Sequence, residues 1–242
     1  MLSLRAGYGS TNVLEGIDLE LERGRIHGLV GLNASGKTTL FDTIAGLLQP
    51  TAGRLSLGEE CLRPDHVAYL PAELHFYPRL TGRDYLEVFR AARPRTAIAF
   101  DIERWASVFD LQLDMPVEDY SEGMRRKVAL IGVVSMQRPV LLLDEPSNAL
   151  DIEASALLAD LLRGLAAGGT IIVIASHILE ALTDCERIHR LAGGRIAGSY
   201  WRDERARLVA DLSSRQMRDR RALLGELAGQ MAWDTAAGPA AT

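Results

Sequence analysis

Residues 31–39 read G-L-N-A-S-G-K-T-T, which fits the pattern G-x-x-x-x-G-K-[S/T]. In a loop of this kind the backbone N–H groups surround a phosphate chain. The lysine, Lys37, can reach the outer phosphates, and the hydroxyl of Thr38 can ligate Mg²⁺. We therefore predict phosphate contacts along this loop, by Asn33, Ala34, Ser35, Gly36, Lys37, Thr38 and Thr39.

The residues on either side of the loop decide whether the pattern is meaningful. Residues 25–30, R-I-H-G-L-V, predict a buried strand, and Leu40, Phe41 and Ile44 repeat at helical spacing before Pro50. Between a strand and a helix N-terminus, the backbone donors and the helix dipole both favour an anion. An ordinary glycine turn is the alternative, and this context disfavours it.

The composition favours a soluble protein of the cytosol. The chain has 242 residues, enough for one or two domains. Cys61 and Cys185 follow no pairing or metal-binding pattern, which argues against a disulfide framework and fits a reducing compartment. No apolar run approaches the roughly 20 residues of a membrane span. The net charge of −5 gives no whole-surface attraction to nucleic acid, so no nucleic acid partner is expected.

Tyr8 lies ahead of the loop between two glycines, where small neighbours would leave its ring exposed. An exposed aromatic ring near a phosphate loop is a candidate to stack on adenine. A tyrosine in an ordinary turn is the alternative.

The hydrophobic patterns predict an α/β domain with a helical insertion. Ile17, Leu19 and Leu21 alternate with acidic residues, which predicts a half-buried strand over residues 17–22. From residue 72 to about residue 125 the pattern becomes helical, around Leu86 and Trp105. Strand patterns resume afterwards, so we interpret this segment as a helical subdomain inserted within one domain.

Two acidic residues follow residues 140–143, an apolar run that predicts a strand covered on both faces. Ligands of open α/β sheets bind outside the carboxyl ends of the strands, so Asp144 and Glu145 should lie beside the phosphate loop. There Asp144 can hold Mg²⁺, and Glu145 can polarise a water toward a terminal phosphorus. A helix cap with a solvated neighbour is the alternative.

Two further places can contact an anion. His177 follows another predicted buried strand, at residues 170–174, and can donate to a γ-phosphate if it reaches the same sheet edge. A structural histidine is the alternative. Ser121 and Gly123 begin a predicted helix and can present backbone donors, although an ordinary N-cap has the same pattern.

Taken in order, these motifs resemble the nucleotide-binding subunit of ATP-binding-cassette (ABC) transporters over about residues 1–200. They are an aromatic A-loop (Tyr8), the phosphate loop (31–39), a helical subdomain, a signature motif (121–124), Walker B (141–145), a D-loop (147–151) and a switch histidine (His177). The resemblance implies the P-loop NTPase fold of ABC ATPases. That fold has a mostly parallel core sheet, an antiparallel β subdomain and an inserted helical subdomain.

The resemblance also implies an ATPase that works as a head-to-tail homodimer or heterodimer. ATP would lie between the phosphate loop of one subunit and Ser121 and Gly123 of the other. The implied catalytic residues are Lys37, Glu145 (base) and His177, the metal residues are Thr38 and Asp144, and Tyr8 would contact the adenine. Closure on ATP would drive a separately encoded integral membrane permease subunit, with the chain in the cytoplasm at the inner face of the cell membrane.

Residues 77–83, Y-P-R-L-T-G-R, are similar to exporter-type subunits, so we expect export rather than import. One alternative is a soluble mechanochemical ATPase of the same superfamily that acts on ribosomes or DNA. Such relatives usually carry two cassettes or long coiled-coil insertions. Another is a regulatory subunit without turnover, which the intact Lys37, Asp144, Glu145 and His177 disfavour.

Three positions depart from the family's pattern. Ala72 stands where the family usually has Gln, and Glu73 follows as a substitute. The signature motif reads Y-S-E-G-M over residues 120–124 instead of L-S-G-G-Q, and Met124 cannot donate as an amide would. Ala34 replaces a frequent loop glycine, which costs backbone freedom but no phosphate donor.

Residues 201–242 are predicted to form a C-terminal helical extension with a frayed tail. Leu208, Leu212, Leu223 and Leu227 lie on helical stripes separated by arginines. We favour a packed helix with a solvated arginine face, and contact with a membrane surface or nucleic acid is the alternative.

Overall fold

The structure is a computed structural model that describes residues 1–94 and 97–212. The chain divides into two compact units, Met1–Arg202 and Asp203–Thr242. The strands of the first unit are β1 (Leu2–Tyr8), β2 (Thr11–Ile17), β3 (Ile26–Val30), β4 (Ala52–Arg54), β5 (Ser56–Leu57), β6 (Glu60–Cys61), β7 (Val67–Leu70), β8 (Val140–Asp144), β9 (Ile171–Ser176), β10 (Arg187–Ala192) and β11 (Arg195–Trp201). Its helices are α1 (Lys37–Ile44), α2 (Gly82–Ala91), α3 (Ile102–Val108), α4 (Glu122–Ser135) and α5 (Ile152–Ala167).

The core is a six-stranded sheet in the order β11-β10-β3-β9-β8-β7. Its strands pair in parallel except for β11, which runs antiparallel to β10. Every residue of β3, β8 and β9 is buried, as expected for parallel strands covered on both faces. The predicted fold class, with its mostly parallel core sheet, is confirmed.

A second, antiparallel sheet has the order β2-β1-β4 and joins the core sheet through helix α1. Leu40 and Phe41 of α1 are almost fully buried in one apolar cluster with Leu14 of β2 and Leu142 of β8. The ring of Phe41 meets Tyr69 edge-on, with 5.9 Å between centroids. This packing fixes α1, and therefore the loop before it, against both sheets.

The strand predicted over residues 17–22 is wrong, because β2 ends at Ile17. Beyond it the backbone makes no continuous ladder: Leu19 N–H donates to the carbonyl of Met1 at 3.2 Å, and Leu19 O accepts from the Met1 amine at 2.8 Å. Leu19 and Leu21 are partly buried against the core cluster. The alternation therefore reflects a loop that packs on the core.

Helices α2 and α3 and the start of α4 lie between β7 and β8, where the sequence predicts the helical subdomain. Leu86 of α2 is fully buried. The domain bounds, 1–200 with the helical subdomain at about 72–125, and 201–242, stay predictions. Among the described residues, no helix is both long and apolar enough to cross a membrane.

The second unit is described up to residue 212, and α6 (Arg205–Leu212) contains Leu208 and Leu212 of the predicted helical stripe. Leu223, Leu227 and the predicted frayed tail lie outside the described residues.

Two histidines pair inside the core sheet, on the strand that leads to the phosphate loop and on its neighbour. His27 of β3 and His189 of β10 are fully buried, and their rings stack with 5.5 Å between centroids. Nδ1 of His189 lies 2.8 Å from Ser199 Oγ, and the amide of Glu22 donates to His27 Nε2 at 3.1 Å. Burial lowers the pKa of both imidazoles, that of His189 to about 3.

We expect this pair to make the folded state acid-sensitive. The unfolded chain takes up a proton on each imidazole as the pH falls below about 6.5, while the folded chain keeps them neutral. Stability is therefore full above about pH 6.5 and declines toward pH 3, by up to about 1.4 kcal/mol per pH unit for each histidine. In His189→Gln, the free energy of unfolding from urea titrations should decrease less between pH 7.5 and pH 5 than it does in the wild type.

The matched control for the histidine prediction is His75→Gln, at an exposed position. It should keep the wild-type dependence of the unfolding free energy on pH. Equal pH dependence in the wild type and His189→Gln would contradict a role for the pair.

Candidate active site

The predicted site residues meet at the carboxyl edge of the core sheet. Val30 of β3 lies opposite Ser176 of β9, and Asp144 of β8 lies opposite Ala175, so the three strands end together. They border an open cleft of about 560 Å³, lined by Val13, Asn33, Ala34, Gly36, Lys37, Thr38, Thr39, Ala72, Asp144, Glu145 and His177. The topology thus collects side chains from five separate segments into one cleft of the size of a small-molecule site.

The phosphate loop joins β3 to α1 through two residues in the left-handed region. Gly36 has φ 104° and directly precedes Lys37, the first residue of α1, so a glycine is required there. Ala34 has φ 62°, a conformation that costs an L-residue about 1–2 kcal/mol. The predicted loss of backbone freedom at Ala34 is therefore real, and the loop closes tightly enough for Ser35 N–H to bond Leu32 O at 3.1 Å.

Lys37 is buried beneath the loop, and within residues 1–94 and 97–212 its ammonium is bonded only to main-chain oxygens. Its Nζ donates to Gly31 O at 2.7 Å and to Leu32 O at 3.2 Å. Burial lowers the pKa of Lys37, whereas the nearby Asp144 and Glu145 act in the opposite direction. A cation held by neutral carbonyls gains by exchanging them for the charged oxygens of a phosphate.

The loop also contains a buried polar atom whose hydrogen bond is not made. Ser35 Oγ has no partner within the described residues, although buried hydroxyls are normally paired. Ser35 itself does not line the cleft, whereas phosphate oxygens in the cleft would satisfy the Lys37 ammonium. The loop therefore fits a phosphate group.

Thr38 and Asp144 form the part of the cleft that fits a metal ion. Thr38 Oγ1 donates to Asp144 Oδ2 at 3.2 Å, across 106 residues of sequence. Burial raises the pKa of Asp144, and the hydrogen bond from Thr38 opposes that shift. Hydroxyl and carboxylate oxygens are ligands that Mg²⁺ prefers, and a divalent ion would stabilise the ionised carboxylate.

Glu145 is held by donors from the end of β9. Its Oε2 accepts from Ser176 Oγ at 2.8 Å, and its Oε1 accepts from the amide of His177 at 2.8 Å. The His177 ring is half-exposed, with Nδ1 2.6 Å from the same Oε1. Glu145 has φ 49°, a strained backbone that aims the side chain into the cleft. The arrangement holds one carboxylate in a fixed orientation at the cleft.

Ser176 is a residue of the candidate site that the sequence reasoning missed. It is fully buried at the end of β9 and accepts from Ile178 N–H at 3.0 Å, so its proton points to Glu145. The available signal was a hydroxyl at the end of an otherwise apolar buried run.

Tyr8 lies at the end of β1 with 55% of its surface exposed, as predicted. Its hydroxyl donates to Asp42 Oδ2 on α1 at 3.3 Å, and it is not among the cleft-lining residues. The contact keeps the ring beside the helix that follows the phosphate loop.

Like Tyr8, the predicted site residue Ser35 does not line the cleft, and the fold does not bring Ser121 and Gly123 to it either. Ser121 is the N-cap of α4, and its Oγ accepts from Met124 N–H at 3.2 Å. A Cβ at position 123 would lie 2.7 Å from the carbonyl of Ala149, so only glycine allows this approach to residues 147–151. Glu73, expected as a substitute for the missing Gln, is exposed and does not line the cleft either.

Comparison with known proteins gives the family. The family model described as ABC transporter matches residues 14–148. Daunorubicin resistance ATP-binding protein DrrA3 of Streptomyces coeruleorubidus is 34% identical over 81% of this chain, which spans 66% of that relative's length. Cytochrome c biogenesis ATP-binding export protein CcmA of Nitrobacter winogradskyi is 32% identical over 72% of this chain and 88% of its own.

A solved structure agrees with the assignment. The ATP-binding subunit of an ABC transporter superposes with a TM-score of 0.78 and 27% identity, over 86% of this chain and 92% of the other. The phosphate loop, Walker B and the switch histidine occur here in one cleft, in the order that the resemblance implies. The chain belongs to the ABC transporter family, a family of ATP-binding cassettes.

Proposed function

We propose that the chain binds ATP with Mg²⁺, hydrolyses it, and thereby energises export through a separately encoded transmembrane partner. One observation carries the proposal: the cleft places Lys37, Thr38, Asp144, Glu145 and His177 together at the ends of three parallel strands. A cation, a metal-ligating pair and an oriented carboxylate are the parts that phosphoryl transfer to water requires.

The binding roles follow from the atoms that are available. Lys37 exchanges its loop carbonyls for the outer phosphates, and the loop amides hold the phosphate chain. Thr38 and Asp144 would hold the metal, the latter through water. Mg²⁺, when bound, would neutralise charge on the phosphate oxygens.

Glu145 is the proposed general base. Its carboxylate accepts the proton of the attacking water, and the hydrogen bonds from Ser176 and His177 hold it in one orientation meanwhile. With its ring half-exposed at the cleft, His177 is placed to donate to the γ-phosphate and to complete the charge stabilisation.

The active unit proposed is a head-to-tail dimer with a second cassette, either a second copy or a related chain. Ser121 and Gly123 lie outside the cleft of their own subunit, yet they offer a helix N-terminus suited to an anion. A partner subunit would supply the same motif to the nucleotide held by Lys37. Each site would then be complete only when two subunits close on ATP.

Export and location rest on resemblance. The exporter-like stretch at residues 77–83 and the relative named as an export protein support export through a partner permease. We place the chain in the cytoplasm at the inner face of the membrane. The proposed partners do not include a nucleic acid.

Tyr8 should contribute to adenine binding through its ring. Tyr8→Ala is expected to weaken ATP binding by about 5- to 150-fold, corresponding to about 1–3 kcal/mol of stacking. Tyr8→Phe, the matched control, keeps the ring and loses only the contact with Asp42, so its affinity should stay within about threefold. Equal affinities of the wild type and Tyr8→Ala in a fluorescent-nucleotide titration would remove Tyr8 from the site.

The transport proposal is tested by purifying the tagged chain from detergent-solubilised membranes of its native host, beside an untagged control. We expect a polytopic membrane protein to co-purify in near-equal amount by mass spectrometry. Recovery of ribosomal or DNA-bound proteins with no membrane chain would overturn the transport proposal and favour a soluble mechanochemical ATPase.

A further inference from the structure

Arg126 is a buried cation on α4 that the proposed chemistry does not use. Only 4% of its surface is exposed. Its Nη1 donates to Pro71 O at 3.0 Å, and its Nη2 donates to Ala72 O at 2.8 Å. The guanidinium therefore binds two consecutive carbonyls of the loop after β7. These contacts join residues 54 and 55 positions apart in sequence. Such a fork fixes the position of both carbonyls relative to the helix.

The loop that contains Pro71 and Ala72 borders the cleft. Ala72 lines it, and the methyl side chain there has no polar atom to offer a nucleotide or metal. A hydrogen-bonded link between Ala72 and the rest of the molecule must therefore use its main chain. The two carbonyls bound by Arg126 provide that link.

Arg126 also lies close to the signature motif, because it follows the N-cap Ser121 by little more than one turn of α4. Its neighbours in sequence hold α4 elsewhere. Arg125 donates to Val117 O at 3.1 Å and to Glu118 O at 2.9 Å, and Lys127 Nζ lies 3.1 Å from Asp151 Oδ2. Of these contacts, those of Arg126 join the start of α4 to the loop at the cleft.

We propose that Arg126 is the positioning residue that makes the loop at Pro71 and Ala72 and the N-terminal end of α4 move together. A displacement of this loop is thereby passed to Ser121 and Gly123, and so to the nucleotide held by the second subunit. The inference rests on the proposed dimeric ATPase and deepens it. It assigns to hydrogen bonds with the main chain a link that the methyl side chain of Ala72 cannot provide.

The test compares Arg126→Met and Arg126→Lys with Arg125→Met, a matched control that removes an arginine bonded to two carbonyls away from the cleft. In Arg126→Met, ATP affinity of the dilute single subunit should stay within about threefold, because the phosphate loop is untouched. Its kcat should fall about 10- to 100-fold, because the partner's signature motif is misplaced. Arg126→Lys should lie in between, since an ammonium cannot bind both carbonyls as a fork.

A second measurement separates positioning from loss of folding. In a Ser121→Ala background, Arg126→Met should lower kcat by much less than it does in the wild type, because both changes act on the same motif. Fully multiplicative effects, a kcat within threefold of wild type, or a fall in ATP affinity parallel to kcat would each overturn the inference. If Arg126→Met does not fold, Arg126→Lys with the same readouts decides.

The wild-type chain in the same assay tests the proposed function separately. Turnover that rises with the square of protein concentration at low concentration supports the dimeric ATPase. A wild type without ATP turnover would reject the proposed function, and the inference with it. A turning-over wild type matched by Arg126→Met would reject the inference alone.

Discussion

Glu145→Gln is expected to bind ATP as the wild type does and to hydrolyse it about 10²- to 10⁴-fold more slowly. The carboxylate is the proposed acceptor of the water proton, and an amide cannot take it. The side chain keeps its size, and its remaining oxygen can still accept from Ser176 Oγ, which lies 2.8 Å from Oε2. ATP affinity should therefore change little. A steady-state phosphate-release assay beside a nucleotide titration measures both quantities.

The matched control for this substitution is Glu59→Gln, at an exposed position outside the cleft, which should keep full turnover. Turnover of Glu145→Gln within threefold of wild type would exclude Glu145 as the base. A parallel loss of ATP binding would instead assign it a binding role.

Lys37→Ala is expected to abolish ATP-dependent dimerisation. Its Nζ is a buried ammonium beneath the phosphate loop, and hydrogen bonds between charged groups contribute about 1.5–3 kcal/mol each. Losing even one corresponds to about 10- to 150-fold weaker binding. The clearest measurement uses the Glu145→Gln background, in which slow hydrolysis lets the ATP-bound dimer accumulate. Size exclusion with ATP should show a dimer for Glu145→Gln and a monomer for Lys37→Ala/Glu145→Gln.

Arg54→Ala in the same background removes an exposed cation of β4 and should leave the dimer intact. A dimer of unchanged stability in the Lys37→Ala double variant would contradict the role proposed for the lysine. If the Glu145→Gln parent itself stays monomeric with ATP, the head-to-tail dimer is rejected.

The sequence by itself determined the elements that local pattern specifies. The apolar runs that became β3 and β8 predict buried strands because both faces of a parallel strand are covered. The loop of residues 31–39 was recognisable because only glycine adopts the backbone of Gly36 without strain. A general rule, that ligands bind at the carboxyl ends of such strands, then brings Glu145 and His177 to the loop.

The hydrophobic pattern over residues 17–22 predicts a strand wrongly, and the tertiary packing explains why. The alternation of Ile17, Leu19 and Leu21 has the period of a strand, yet the backbone beyond Ile17 pairs with Met1 at a single residue and continues as a loop. Periodicity reports which side chains face the core and does not report whether a neighbouring strand is present to bond the backbone.

Contacts between distant residues were decided only by the tertiary structure. The bond from Ser176 to Glu145 spans 31 residues, and that from Arg126 to Pro71 spans 55. A serine at a strand end or an arginine in a helix has no sequence pattern that names its acceptor, because packing of whole elements sets that distance. The same packing keeps Ser121 out of the cleft, and this position is the reason for proposing that a second subunit completes the nucleotide site.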